Sequence, residues 1–212
     1  MNAKRWILLM VTVTALGGSV VRVASAESDA DLFQKSYDSE AVGKLPEALA
    51  ALDKLPAERR DAYVAQLRKG WLLYKLGRSA DAIEPYNKAI ALEPGGVEAR
   101  VGVMLPLMAL RRWADTETTA REVLKRDPGN YLATIRFAFT VYSLGRFGEA
   151  EAAYKRVIEL YPSDVDARAG LGWSQVKLGK LADAAKEFRT VLAISPRNAL
   201  AQDGMKATGA SH

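Results

Sequence analysis

Side chains able to do covalent or metal chemistry are nearly absent from this chain. Of 212 residues none is cysteine, and the single histidine is His212, the last residue. Without a thiol or an internal imidazole, zinc sites of ordinary type and Ser/His or Cys/His nucleophile arrangements lack their members. Carboxylates do fall at regular places: Glu47, Asp81, Asp115, Glu149 and Asp183 lie 34 residues apart, and Lys44, Arg78, Arg112, Arg146 and Lys180 keep the same interval. Charges so placed at helix ends complement the helix dipole, so both columns read as turn architecture. No catalytic constellation forms, and neither an enzyme activity, a metal nor a cofactor is expected. A third set of columns suits recognition. Tyr37, Trp71, Leu105, Phe139 and Trp173 recur at the same 34-residue spacing. Phe33, Leu67, Val101, Ile135 and Ala169 stand four residues before them, and Tyr74, Met108, Tyr142 and Val176 three after. Spacings of four and three lie on one stripe of a helix.

The elements that must carry this stripe follow from the punctuation of the sequence. Pro94, Pro128, Pro162 and Pro196 are 34 residues apart with no insertion or deletion between them. Gly43, Gly77, Arg111, Gly145 and Gly179 mark the middle of successive units, where a left-handed turn separates two helical patterns. Five residues on, Ala48, Ala82, Thr116, Ala150 and Ala184 let the two helices approach closely, and the proline ends the second helix. Asn130, Asp164 and Asn198 are expected N-caps of the helices that follow. Each unit is thus helix, tight turn, helix, and the third unit, with Arg111 and Thr116, is the irregular one.

On these residues the chain resembles the tetratricopeptide repeat family, whose unit has 34 residues with a Gly, Ala, aromatic, Ala and Pro signature. The segment 63–96 matches best, through Gly70, Gly77, Ala82, Tyr86, Ala89 and Pro94. Units at 29–62, 63–96, 97–130, 131–164 and 165–198 are expected, with 199–212 forming a terminal capping helix and tail. The resemblance implies an all-α fold, a right-handed α-solenoid of tandem helix-turn-helix repeats. Two departures stand out. The family's large fourth residue is replaced by Leu32, Gln66, Arg100, Thr134 and Arg168, which suggests that the packing face has rotated toward positions five, nine and twelve. The opening unit also carries Pro56 inside its second helix and lacks the closing proline.

In the family the first helices line a concave groove, into which positions 2, 5, 9, 12 and 13 point. By position, the resemblance nominates Phe33, Tyr37, Leu67, Trp71, Tyr74, Leu105, Met108, Ile135, Phe139, Tyr142 and Trp173 as groove residues, weighed against a role in core packing. Trp71 with Tyr74, and Phe139 with Tyr142, are the expected clasps for an apolar side chain, and Arg68 and Arg136 the expected charged rim. A clamp for a terminal carboxylate, which in the family uses Lys at the fifth and Asn at the ninth position, is not expected. Those positions hold Phe33, Tyr37, Leu67 and Trp71. The expected ligand is an extended or helical protein segment with apolar anchors. The alternative is a polysaccharide stacked on the aromatic rings, which would need more polar partners than the stripe supplies.

The first 26 residues stand apart from the repeats. Lys4 and Arg5 precede an apolar run from Trp6 to Leu16, and Ala24-Ser25-Ala26 forms a small-residue cleavage site. The run is shorter than the ~20 residues of a membrane-spanning helix, so a secretory signal peptide cleaved after Ala26 is expected, the alternative being a retained anchor. Removing Lys4, Arg5 and Arg22 leaves 27 basic against 25 acidic residues, too even a balance for nucleic-acid binding. Export without cysteine fits a periplasmic protein, and an envelope complex is the expected setting for its partner. The irregular third unit offers a route for chains to interlock.

Overall fold

The computed structural model describes residues 27–209, and within them the proline and glycine punctuation resolves into helices. Helices α1 (Asp29–Ala41) and α2 (Leu45–Asp53) form the first hairpin, and α3 (Ala57–Arg60) is a single turn after it. Four more hairpins follow: α4 (Tyr63–Lys75) with α5 (Ser79–Leu92), α6 (Glu98–Ala109) with α7 (Trp113–Arg126), α8 (Tyr131–Ser143) with α9 (Phe147–Leu160), and α10 (Val165–Lys177) with α11 (Leu181–Ile194). A lone helix, α12 (Ala199–Thr208), ends the described chain. Every substantial helix contact joins helices of the same or adjacent units, so the molecule is an α-solenoid.

The turns close as the spacing predicts. After α4, Gly77 takes φ +76° and donates its N–H to Tyr74, while Arg78 donates to Leu73, both at 2.9 Å. Arg111 reproduces this geometry at φ 55° without being a glycine. Asn130, Asp164 and Asn198 cap α8, α10 and α12 through their side-chain oxygens. Glu47, Asp81, Asp115, Glu149 and Asp183 all occupy first turns, with Arg78 and Arg112 paired to the acid three residues on. Ala48, Ala82, Thr116, Ala150 and Ala184 are wholly buried where the paired helices cross.

Two expectations fail. Pro56 is not inside a helix: α2 stops at Asp53, Leu55 is buried, and Pro56 becomes the N-cap residue of α3, because proline cannot give the N–H a longer α2 would need. Nor has the packing face rotated away from the fourth position. Leu32, Gln66, Arg100 and Thr134 are buried there, and the polar ones are satisfied locally. Gln66 donates to the Arg60 carbonyl at 2.8 Å, Arg100 to Gly96 at 2.6 Å and Glu122 at 3.2 Å, and Thr134 to Asn130 at 2.8 Å. Bulk at the fourth position has been exchanged for hydrogen bonds, which remove the cost of burying these groups.

The units stack by two distinct devices. Tyr86, Tyr154 and Phe188, buried at position 24 of their units, lie over Gly102, Gly170 and Gly204 at position six of the next. A Cβ at these glycines would stand 2.4, 2.4 and 2.3 Å from the ring, so only glycine admits the contact. Burial pushes the Tyr86 hydroxyl up to about 12 and raises Tyr154 further. Where position 24 is instead Leu52 or Ala120, position six of the next unit is an arginine, Arg68 or Arg136.

Candidate functional site

The stripe lies along the first helices and is neither core nor open surface. Tyr37 and Phe139 are 51% and 44% exposed; Phe33, Leu67, Trp71, Tyr74, Leu105, Met108, Ile135, Tyr142 and Trp173 are half-buried. Phe33, Leu67, Trp71, Ile135, Tyr142 and Trp173 each pack on a buried cluster, as Ile135 and Tyr142 do on the one around Val141, and remain partly accessible. Ala169, the last member of the fifth column, is buried.

Two cavities open on this face. The C-terminal one, of 550 Å³, takes Met108 from α6, Ile135, Arg136, Phe139 and Tyr142 from α8, Trp173 from α10 and Leu200 from α12. Tyr154 and Gly170 form its floor and Asp166 its edge. The N-terminal one, of 490 Å³, takes Tyr37 and Glu40 from α1, Leu67, Arg68 and Trp71 from α4, Leu105 from α6 and again Arg136 from α8. Arg136 stands between the two. Phe33 and Tyr74 line neither: Phe33 packs on the cluster around Leu32 and Leu72, and Tyr74 lies against Trp71.

The expected clasps are differently built. Trp71 and Tyr74 touch each other, with ring centroids 6.1 Å apart, leaving no gap for a guest. Phe139 sits edge-on to Trp113 at 5.9 Å and Tyr142 to Phe147 at 5.3 Å, so second-helix aromatics that the column reading did not include brace this pair from behind. The indole N–H groups of the stripe are already committed: Trp71 donates to Glu40 at 2.7 Å and Trp173 to the Leu200 carbonyl at 3.1 Å. The latter bond holds α12 at the end of the array. There α12 packs on α10 and α11, extending the cavity wall.

The two rim arginines part company. Arg68 is buried: its Nε donates to Ser36 at 2.8 Å, its Nη1 to Glu40 at 3.0 Å, and its guanidinium lies 3.5 Å from the Tyr37 ring centroid. It is a bolt between the first two units and not a rim residue. Burial pushes the Glu40 carboxyl up, yet hydrogen bonds from Trp71, Lys75 and Arg68 outweigh it and hold the group below the ordinary carboxylate range. Glu40 is the hub the sequence reading missed. It is the one acid in the twelfth column, where the other units carry Tyr74, Met108, Tyr142 and Val176. Arg136 is half-buried and donates its Nη1 to the Val101 carbonyl, and burial lowers its pKa without discharging it.

The tetratricopeptide repeat profile matches residues 35–97 and 140–199, more than half of the 212 residues. The chain belongs to the tetratricopeptide repeat family. No curated protein matches it. Among solved structures, the MamA protein superposes with a TM-score of 0.70 at 16% identity, covering 86% of this chain and 96% of its own. YrrB, described as a tetratricopeptide repeat protein with an unusual peptide-binding site, superposes with 0.71 at 18% identity over 86% of this chain and 94% of its own. A tetratricopeptide repeat protein from Parabacteroides merdae gives 0.74 at 19% over 85% and 73%. At these identities the likeness extends to the fold. Among the described residues of this repeat protein no helix is long and apolar enough to cross a membrane, and no three acidic or histidine side chains gather to hold a metal. The expected signal peptide and cleavage after Ala26, and His212, lie outside the described residues.

Proposed function

We propose that this repeat protein is a non-enzymatic scaffold that binds a protein segment along its first-helix face and, after export and cleavage at Ala26, works in the periplasm in assembling or tethering an envelope complex. One observation carries the binding reading: an accessible cavity of 550 Å³ walled by Met108, Ile135, Phe139, Tyr142 and Trp173, large enough for apolar side chains and short of water-loving groups. The family is one of protein-interaction scaffolds, and a structural neighbour is described as binding a peptide. The polysaccharide alternative is disfavoured because the Trp71 and Trp173 N–H groups are spent within the protein. Ordering of the bound segment offsets part of the burial, so affinity of ~micromolar order is expected.

The test is a pull-down with tagged residues 27–212 from a membrane and periplasmic extract, beside a Met108→Ala, Phe139→Ala variant. Both side chains are accessible, and their loss leaves the buried clusters intact. A partner held by the parent and lost by the folded variant supports the groove; equal recovery sinks it. Export has its own test. Mass spectrometry of the protein from fractionated cells is expected to find a chain beginning at Glu27 in the periplasmic fraction, and an intact Met1 or Asn2 terminus would overturn cleavage.

A further inference from the structure

Four described arginines are withdrawn from solvent: Arg68, Arg100, Arg136 and Arg168. Three are neutralised within the protein, Arg68 by Glu40 at 3.0 Å, Arg100 by Glu122 at 3.2 Å and Arg168 by Glu187 at 2.9 Å. Among the described residues Arg136 has no carboxylate within ion-pair reach, although Glu98 and Asp166 lie in the walls of the cavities it borders. Its one hydrogen bond to the described residues is to the Val101 carbonyl, through Nη1. Nε and Nη2 make no bond to the described residues and, unlike the Nη2 of Arg68, are not shut off from solvent, and Arg136 lines both cavities of the groove. An apolar groove around an uncompensated guanidinium is an unfavourable setting for any ligand that leaves the charge unpaired.

Resting on the groove reading, we infer that Arg136 selects the ligand: the bound segment carries an acidic side chain between apolar anchors, and that carboxylate takes the free Nε and Nη2 of Arg136. An internal side chain fits, and a terminal carboxylate does not, because cavities of 550 and 490 Å³ extend to either side of the guanidinium and each accepts anchors. The chain therefore runs past Arg136 in both directions. This differs from the terminal clamp, whose fifth- and ninth-position Lys and Asn are absent here. Nε and Nη2 present the side of the fork that binds a carboxylate through two parallel hydrogen bonds.

The test is selection from a random linear peptide display library on residues 27–212, followed by a synthetic consensus peptide and its amide form, with Asp or Glu changed to Asn or Gln. An acid flanked by apolar residues is expected, with the amide form binding about tenfold more weakly, as loss of one charge-assisted pair implies. That difference is expected to vanish with Arg136→Gln and to shrink with Arg136→Lys, which keeps the charge but not the fork. Thermal melts establish that the variants are folded; should Arg136→Gln melt too early, the amide peptide on the parent and Arg136→Lys decide. Phe139-dependent selection of apolar peptides with no acid, or a preference for acid that survives in Arg136→Gln, overturns the inference and leaves the groove. Selection of nothing that Phe139→Ala weakens overturns the groove itself.

Discussion

The junction between the fourth and fifth units and the junction between the third and fourth do the same job with opposite chemistry. At the first, the buried Tyr154 ring lies on Gly170 so closely that no Cβ could intervene. At the second, position 24 is Ala120, position six is Arg136, and the surface outside carries a ring of four charges. In that ring Arg121 pairs with Glu117 at 2.9 Å and Glu149 at 2.6 Å, while Arg146 pairs with Glu117 at 2.6 Å and also with Glu149. Arg121 also covers the Phe137 ring at 4.7 Å. The aromatic junction gains stability by burial; the charged one gives up some burial and gains a polar group inside the groove.

This contrast makes graded predictions. Tyr154→Ala removes the buried ring and leaves a void, so urea denaturation is expected to report a loss of about 3–5 kcal/mol. Glu40→Gln leaves buried Arg68 without its counter-charge at the other arginine junction, and about 3 kcal/mol should be lost by the same measurement. Gly170→Ala drives a methyl into the Tyr154 ring; the gain in helix propensity offsets part of the overpacking, for a net loss of about 1–2 kcal/mol. Glu117→Gln weakens the surface ring by less than about 1 kcal/mol at low salt, and the difference from the parent should disappear in high salt, which no aromatic-junction variant would show.

Acid should weaken junctions of both kinds. The carboxyls of Glu40, Glu117 and Glu151 are held below the ordinary value of 4.5, Glu40 by hydrogen bonds from Trp71, Lys75 and Arg68 and the other two by their cationic partners. A depressed native pKa gives stability that is complete above the unfolded value and drains away as pH falls through the native one. Thermal melts are therefore expected to be flat from neutral pH down to about 4.5 and to fall below it, with a shallower fall in Glu40→Gln. An equal slope in parent and variant would remove Glu40 from the account.

Much of the fold was written in the sequence because its punctuation is backbone chemistry. A proline that cannot donate, a turn that needs positive φ and an asparagine that caps act through local geometry, and all recur at 34-residue spacing. Even Arg111 kept its turn, since the residues on either side had settled the conformation. At the arginines the outcome depends on a neighbour 28 to 35 residues away. Arg68 and Arg136 share a position and looked alike, yet Glu40 and Ser36 hold one buried and no described carboxylate pairs with the other. The signal was present, as glycine at position six follows an aromatic at position 24 and arginine follows its absence. Reading columns one at a time conceals it. The fourth position misled for a related reason: polar residues there were taken to leave the core, when carbonyls and carboxylates nearby let them stay.

Contacts confined to adjacent units also give the molecule a mechanical character. Among the described residues no strand or helix ties one end to the other, so tension along the array meets a row of similar springs in series and not a single latch. Stretched by its ends, the protein should yield unit by unit, in sawtooth steps in a single-molecule trace, and bending should alter the distance between the two cavities before any hairpin opens. A partner bound across both, lashed to α6 and α10, would act as a splint.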